Sequence, residues 1–191
     1  IHSFGTPDQQ AEWLPDLVAG RRLGAFGLTE PDAGSDAGGT RTRARYDTAS
    51  DEWVLDGSKA FITNSGTAIT SVVAGTALTA PGESSSFIVP AGTPGMTIEP
   101  PYRKLGWHAS DTHGITLADC RVPAGNMLGA QGSGLRNFLA ILDDGRIEID
   151  NNAAECALRG VALGRGNYLF MGSDAGGERA HFRERLVAAG A

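Results

Sequence analysis

The sequence contains 191 residues, 41% of them hydrophobic, and carries a formal net charge of −6. This negative charge argues against a nucleic-acid-binding protein, because such proteins need a positive surface to neutralise phosphates. No apolar run approaches the roughly 20 residues that span a membrane, and the first residues do not resemble a secretion signal, so we expect a cytoplasmic protein with one core of ordinary size.

A first helix is predicted over residues 7–20, PDQQAEWLPDLVAG. Thr6 can act as the N-cap, Pro7 suits the first turn, and Gly20 suits the C-terminal stop. Helical spacing places four apolar residues on one face: Ala11, Leu14, Leu17 and Val18. Pro15 lacks an N–H group and interrupts this pattern, so we expect a kink or a short second turn.

From residue 23 the sequence changes to short β-branched or alternating runs. Seven strands are predicted, over 24–29, 41–47, 52–57, 59–64, 69–78, 85–90 and 114–122. Clusters such as PDAGSDAGG, DGS and APGESS are typical of the turns between them. Because no helix lies between these strands, we expect antiparallel hairpins that form a small barrel or sandwich.

A second helix is predicted over residues 132–146, GSGLRNFLAILDDGR. Its apolar residues fall on one face at helical spacing: Leu135, Phe138, Leu139 and Leu142. The first 146 residues therefore predict the order helix, β-domain, helix.

Two segments have the composition of a ligand-binding site. The loop Gly27–Gly39, GLTEPDAGSDAGG, would let backbone N–H groups approach an anion or a heteroaromatic ring, because glycine carries no Cβ. Phe61 and Thr63 share one face of a strand, where an aromatic plane beside a hydroxyl suits a flat cofactor. On composition alone, an ordinary turn and an ordinary half-buried strand are the alternatives, and composition by itself favours the ordinary turn for the loop.

Together with Lys104–Gly129, KLGWHASDTHGITLADCRVPAGNMLG, these motifs resemble the acyl-CoA dehydrogenases, FAD enzymes that oxidise acyl-CoA thioesters to trans-2-enoyl forms. GLTEPDAGSD fits the family's first signature, and KAFITN and KLG…S-T…D-RVP…N-LG follow at the usual intervals. The resemblance implies a mainly β fold, an antiparallel β-barrel middle domain flanked by α-helices. It also implies FAD as cofactor, acyl-CoA as substrate, and the homotetramers or homodimers that relatives form.

The resemblance, which covers about residues 5–146, divides the chain into four regions. Residues 1–22 would be the last helix of an N-terminal helical domain, and 23–128 the flavin- and acyl-CoA-binding barrel. Residues 129–146 would begin a C-terminal helical domain, and 147–191 would be a separate tail.

Site residues follow from the same resemblance. Thr29 would lie near the pyrimidine end of the isoalloxazine, Phe61 would stack on the ring, and Thr63 would hydrogen-bond near N5. The implied cofactor-binding set is Phe26, Leu28, Thr29, Gly34, Ser35, Phe61, Ile62 and Thr63. The implied substrate-binding set is Ser35, Asp143 and Arg146.

No catalytic base can be named from the sequence. The reaction needs a carboxylate to remove the α-proton, which most of the family carries beyond the matched residues and a minority carry one residue before the arginine. That position is Gly145 here, so we expect no turnover. A non-catalytic β-barrel binding or interaction module, or a gene-fusion remnant without function, is the alternative.

Several polar residues have structural interpretations. Glu30 and Asp36 are expected to order the glycine-rich loop by local hydrogen bonds. His108, Asp111 and His113 are expected to lie in a solvated loop, because no third ligand at suitable spacing completes a metal site.

The tail resembles a different family, the DDE-type insertion-sequence transposases. IEIDNNAAECALRG and the following GRGNYLFMGSDAGGERA carry this resemblance, with Glu155 matching the third acidic residue. A lone glutamate in a first helical turn is more typical of a cap than of a metal ligand, and the charges from Arg146 onward balance. We interpret the junction near Gly145 or Arg146 as an in-frame fusion of a mobile element to a dehydrogenase gene, and do not expect transposase function.

Overall fold

The structure is a computed structural model that describes residues 1–143, with side chains described for residues 1–140. The helices are α1 (Pro7–Val18) and α2 (Gly134–Asp143). The strands are β1 (Leu23–Gly27), β2 (Arg43–Asp47), β3 (Glu52–Thr63), β4 (Thr70–Ala80), β5 (Glu83–Pro90), β6 (Met96–Ile98), β7 (Thr112–Pro123) and β8 (Met127–Leu128). The predicted tail, including Glu155, lies outside the described residues.

Helix α1 begins as predicted, with Thr6 as its N-cap. The Thr6 hydroxyl accepts a hydrogen bond from the Gln9 N–H at 3.2 Å, and the Gln9 amide oxygen accepts one from the Thr6 N–H at 2.9 Å. The Gln9 amide nitrogen also donates to the carbonyls of Gly125 and Met127, at 2.7 and 2.9 Å. The helix runs through Pro15 to Val18, so of the two predicted alternatives, a kink or a short second turn, the second turn does not form.

The strands form one sheet in the order β6-β7-β3-β2-β4-β5-β8, with β1 paired to β4. Five of the seven strand pairings are antiparallel, but β1 and β2 both run parallel to β4. The prediction of antiparallel hairpins is therefore wrong for these two pairs. The loop 28–42 joins β1 to β2, which run in the same direction because both pair in parallel with β4.

The predicted turn at Asp56–Ser58 is part of β3, which is one strand of 12 residues. The pairing register with β7 shifts between Leu55 and Gly57, where Gly57 has a φ of +151°. A Cβ at Gly57 would lie 2.5 Å from Oγ1 and 2.6 Å from Cα of Thr42. Glycine is required here because Thr42, the residue before β2, lies directly against the backbone of the strand.

The core fills the inner face of the sheet. Its buried members are Ala25, Ala44, Trp53, Leu55, Ile62, Val73, Ala77, Phe87, Val89, Ile115, Leu117, Cys120 and Val122. Burial raises the pKa of the Cys120 thiol to about 11, which makes this cysteine unreactive near neutral pH. A smaller cluster forms on the outside of the sheet, where Trp13 and Leu17 of α1 pack against Val72, Ile88 and Leu128.

Helix α2 begins against the backbone of β5. A Cβ at Gly134 would lie 2.7 Å from the carbonyl carbon of Ser85. Phe138 is buried as predicted, whereas Leu139 is 40% exposed and Asn137 is buried, so the predicted apolar face is partly wrong. Asn137 is drawn inward because its amide donates to the carbonyl of Leu128 at 3.2 Å. Neither described helix has the length and apolarity needed to cross a membrane.

Replacing Gly57 with alanine tests the tight crossing over β3. We expect Gly57→Ala to lower the free energy of unfolding by about 1–3 kcal/mol, because the added methyl overlaps Thr42. Gly125→Ala is the matched control, since nothing lies within 4 Å of a Cβ there, and its effect should stay within about 0.5 kcal/mol. Urea unfolding of both variants gives the comparison, and equal stabilities would contradict the crossing.

Candidate functional site

A buried ion pair anchors the glycine-rich loop to the sheet. The Lys59 ammonium lies 2.8 Å from a Glu30 carboxylate oxygen, and the two side chains are only 3% and 4% exposed. Glu30 also accepts hydrogen bonds from the backbone N–H groups of Arg41 at 2.6 Å and Thr42 at 3.2 Å. The Lys59 ammonium donates further to the Thr76 hydroxyl at 3.2 Å. The pair therefore joins the start of the loop, its end, β3 and β4.

The hydrogen bonds indicate that this pair is ionised. Burial alone would raise the pKa of Glu30, but the bonds from Lys59, Thr42 and Arg41 outweigh it and lower the pKa. Burial lowers the pKa of Lys59, while Glu30 acts in the opposite direction. Every group that contacts the Glu30 carboxylate is a donor, so the carboxylate carries no proton. The structural role expected for Glu30 fits this geometry, although its bonds reach residues 11 and 12 positions ahead.

The loop and strand β3 meet at one backbone hydrogen bond. The N–H of Ala60 donates to the carbonyl oxygen of Thr29 at 2.9 Å. The carbonyl of Leu28 lies 3.5 Å from the Lys59 ammonium. Two of the predicted cofactor-binding residues, Leu28 and Thr29, are thereby placed beside the strand that carries Phe61.

Phe61 has a backbone conformation that is rare for an aromatic residue. Its φ is +60°, and the register between β3 and β7 shifts between Lys59 and Ile62. This bulge leaves the Phe61 ring 64% exposed and turns Thr63 outward with it, whereas the side chain of Ile62 is buried in the core. Ile62 can therefore meet a ligand only through its backbone. Such strained positions cluster at functional sites.

Tyr102 joins Phe61 on this surface, although no sequence pattern indicated it. The two ring centroids lie 4.9 Å apart, and the planes are inclined by 32°. The Tyr102 N–H donates to the carbonyl of Thr112 at 3.0 Å, which fixes Tyr102 against the start of β7. We call Phe61 and Tyr102 the aromatic ledge. Only the pairing of β3 with β7 brings residue 102 near residue 61, so no local pattern predicts the contact.

The other predicted site residues differ in their exposure and contacts. Gly34 and Ser35 are exposed in the loop, and a Cβ at Gly34 would meet nothing within 4 Å. Phe26 is partly exposed and packs on Phe138 of α2, with ring centroids 4.3 Å apart. Asp143 ends α2 but its side chain lies outside the description, as do Gly145 and Arg146.

The predicted solvated loop is wrong for His113. Its imidazole is buried and lies 2.6 Å from an Asp111 carboxylate oxygen. His108, in contrast, is exposed as expected. Within residues 1–140, no group of three or more side chains has the arrangement of a metal site.

Comparison with known proteins identifies the family. The model of the acyl-CoA dehydrogenase middle domain matches residues 25–120. The chain belongs to the acyl-CoA dehydrogenase family. A probable acyl-CoA dehydrogenase of Bacillus subtilis, YngJ, is 47% identical over 154 residues, which are 78% of this chain and 40% of that protein. The acryloyl-CoA reductase (NADH) of Anaerotignum propionicum is 43% identical over 167 residues, 85% of this chain and 42% of the relative.

Solved structures of the family agree with the fold. The butyryl-CoA dehydrogenase of Megasphaera elsdenii aligns with a TM-score of 0.75 at 36% identity, over 99% of this chain and 52% of that one. A glutaryl-CoA dehydrogenase of Mycobacterium smegmatis in complex with FADH2 aligns with a TM-score of 0.68 at 42% identity, over 75% and 36%. The chain thus spans less than half the length of the curated relatives named above.

The C-terminal region resembles a second family. The model of the IS66 transposase family matches residues 124–179. This match begins just after the dehydrogenase match ends at residue 120, upstream of the junction predicted near residue 146. The fusion near that residue is therefore still a prediction.

Removing one member of the buried ion pair should destabilise the fold more than removing both. Lys59→Met leaves the Glu30 carboxylate buried without a cation, and we expect a loss of about 3–5 kcal/mol in the free energy of unfolding. In the Glu30→Gln/Lys59→Met double variant neither charge is left, so it should be the more stable of the two. Urea unfolding at pH 7 provides the comparison, and a double variant that is no more stable than Lys59→Met would argue against the pair.

Proposed function

We propose that this chain binds FAD and acyl-CoA as the flavin-facing part of an acyl-CoA dehydrogenase, an enzyme for α,β-dehydrogenation of acyl-CoA thioesters. The observation that supports it is the hydrogen bond between Ala60 and Thr29. This bond joins the start of the glycine-rich motif to the residue before Phe61. The family resemblance implies a flavin role for both motifs, and they would have no common ligand if they lay apart.

The residues at this position fit a flat, polar-edged ring system. Phe61 offers an exposed aromatic face, and Thr63, two residues on, offers a hydroxyl on the same side of β3. The backbone near Gly34 and Ser35 is unobstructed, so its N–H groups can approach a ligand closely. When bound, FAD would supply the acceptor for the hydride that leaves the β-carbon of the acyl group.

The substrate would bind beside the cofactor. We propose that Ser35 lies where the flavin and the pantetheine arm meet, and that Asp143 and Arg146 contact the CoA moiety. Gly145 has no side chain that could accept a proton, so no residue of this chain is assigned as the base. The proposed division of the chain is 1–22, 23–128, 129–146 and 147–191, with flavin contacts concentrated in the second region.

Flavin titration tests this function. We expect FAD to raise the melting temperature of the purified chain, because a ligand that binds only the folded state stabilises it. Phe61→Ala should weaken FAD binding about two- to tenfold, through loss of an aromatic contact worth roughly 0.5–1.5 kcal/mol. Quenching of flavin fluorescence gives both affinities.

Tyr46→Ala is the matched control, because it also removes a partly exposed aromatic ring, on β2. Its affinity for FAD should equal that of the parent chain. If FAD changes neither the melting temperature nor its own fluorescence, the flavin assignment fails and a β-sheet binding or interaction module is left. Equal losses in the two variants would show that Phe61 has no specific role.

A further inference from the structure

The His113 imidazole is held between two hydrogen-bond acceptors. Its Nδ1 lies 2.6 Å from the carbonyl oxygen of Glu99, and its Nε2 lies 2.6 Å from Oδ1 of Asp111. A carbonyl oxygen can only accept, and the other carboxylate oxygen of Asp111 already accepts the Gly66 N–H at 2.8 Å. In the protonated imidazole both ring nitrogens donate to these acceptors, and His113 is then a cation that is only 7% exposed.

Three separate segments meet at this ring. Asp111 fixes the turn after β3, since its carboxylate accepts from Gly66 and its carbonyl accepts from the N–H of Asn64 at 3.1 Å. Glu99 begins the segment that leads from β6 to the ledge. The turn after β3 lies directly on the imidazole, because a Cβ at Gly66 would be 2.3 Å from Nε2 of His113.

The same bonds fix the position of the aromatic ledge. His113 is paired in register with Ile62, the residue after Phe61. The segment from Glu99 to Tyr102 is held by the Nδ1 bond and by the Tyr102 N–H on Thr112. Since the Tyr102 ring rests on Phe61, a displacement of this segment would change how the Phe61 ring is supported.

We propose that His113 is a positioning residue for the flavin site, acting through Glu99 and Asp111 to hold Tyr102 against Phe61. The expected effect on FAD affinity rests on the proposed flavin function. The effect of His113 on the contact between Tyr102 and Phe61 can be tested on the chain without FAD. In this proposal His113 does not itself contact the flavin. The imidazolium fixes both segments that carry the ledge.

The proposal implies a defined pH dependence. The charged groups facing His113 are Asp111, directly bonded, and Lys104, whose ammonium donates to Ser110 and Thr112; the Glu99 carboxylate bonds Thr116 instead. Burial lowers the pKa of His113 and Lys104 acts in the same direction, but the bonds to Glu99 and Asp111 outweigh both and raise it above its ordinary 6.5.

A raised folded-state pKa means that the stabilisation is complete below about pH 6.5. It is lost as the pH rises through the folded pKa, because one ring nitrogen then stops donating. Both the melting temperature and the affinity for FAD should therefore fall over this range.

The test compares His113→Gln with His108→Gln, which removes an exposed histidine of the loop before β7. The melting temperatures of the parent chain and of His108→Gln should fall above about pH 6.5, whereas that of His113→Gln should not change over this range. At pH 6, His113→Gln should bind FAD about three- to tenfold more weakly than the parent chain. His113→Arg keeps a cation with several donors, and should restore affinity without the pH dependence. Thermal melts without FAD and flavin titrations at each pH give the two readouts.

The outcomes separate this proposal from the proposed function. If no variant binds FAD, the flavin assignment fails, but the melting profiles and the nuclear Overhauser contact between Tyr102 and Phe61 still test His113. A parent-like pH profile for His113→Gln would overturn the proposal, as would an unchanged ring contact with unchanged FAD affinity. Should His113→Gln not fold, NMR titration of the His113 ring in the parent chain and in Asp111→Asn replaces it; an equal pKa in both would overturn the proposal.

Discussion

The buried ion pair between Lys59 and Glu30 determines the path of the glycine-rich loop. A loop of this length and composition has many alternative conformations, and ordering it is costly in entropy. The pair limits these alternatives, because Glu30 collects the N–H groups of Arg41 and Thr42 at the far end of the loop. Buried pairs often add little net stability, yet any loop path that separated this one would leave a charge uncompensated in the interior. The ion pair thus acts mainly by disfavouring other conformations of the 28–42 loop.

The exposed position of Phe61 follows from this anchoring. With the loop held against β3, the carbonyl of Thr29 takes the N–H of Ala60. That donor is then unavailable to β7, and the register between the two strands shifts at this point. A bulge is the ordinary result of such a shift, and here it places Phe61 in a left-handed conformation with its ring outward. The same backbone hydrogen bond therefore holds the loop against β3 and leaves the Phe61 ring exposed.

Sequence patterns predicted the features that depend on local order. The Thr6 cap, the alternation along the strands and the shared face of Phe61 and Thr63 all follow from residues near one another in the chain. The errors arise where segments far apart in the chain come into contact. Examples are Gly57 against Thr42, β1 beside β4, and the buried side chain of Asn137. His113 belongs with these, since nothing in its own neighbourhood shows that Glu99 and the turn after β3 will enclose it. A family resemblance predicted the meeting of the two motifs, and the ion pair explains it physically.

The placement of buried charge gives a final indication of what this fold is built to hold. Among residues 1–140, the buried acidic and basic side chains are Glu30, Lys59 and His113. Lys59 lies two residues before Phe61, and His113 pairs with the residue after it. Well-packed apolar groups at these positions would often be as stable or more so, but they could not fix the 28–42 loop and the Glu99–Tyr102 segment at defined distances. The buried charges on both sides of Phe61 therefore hold the neighbouring segments in defined positions, at some cost in stability. Such a balance is expected behind a ligand-binding surface.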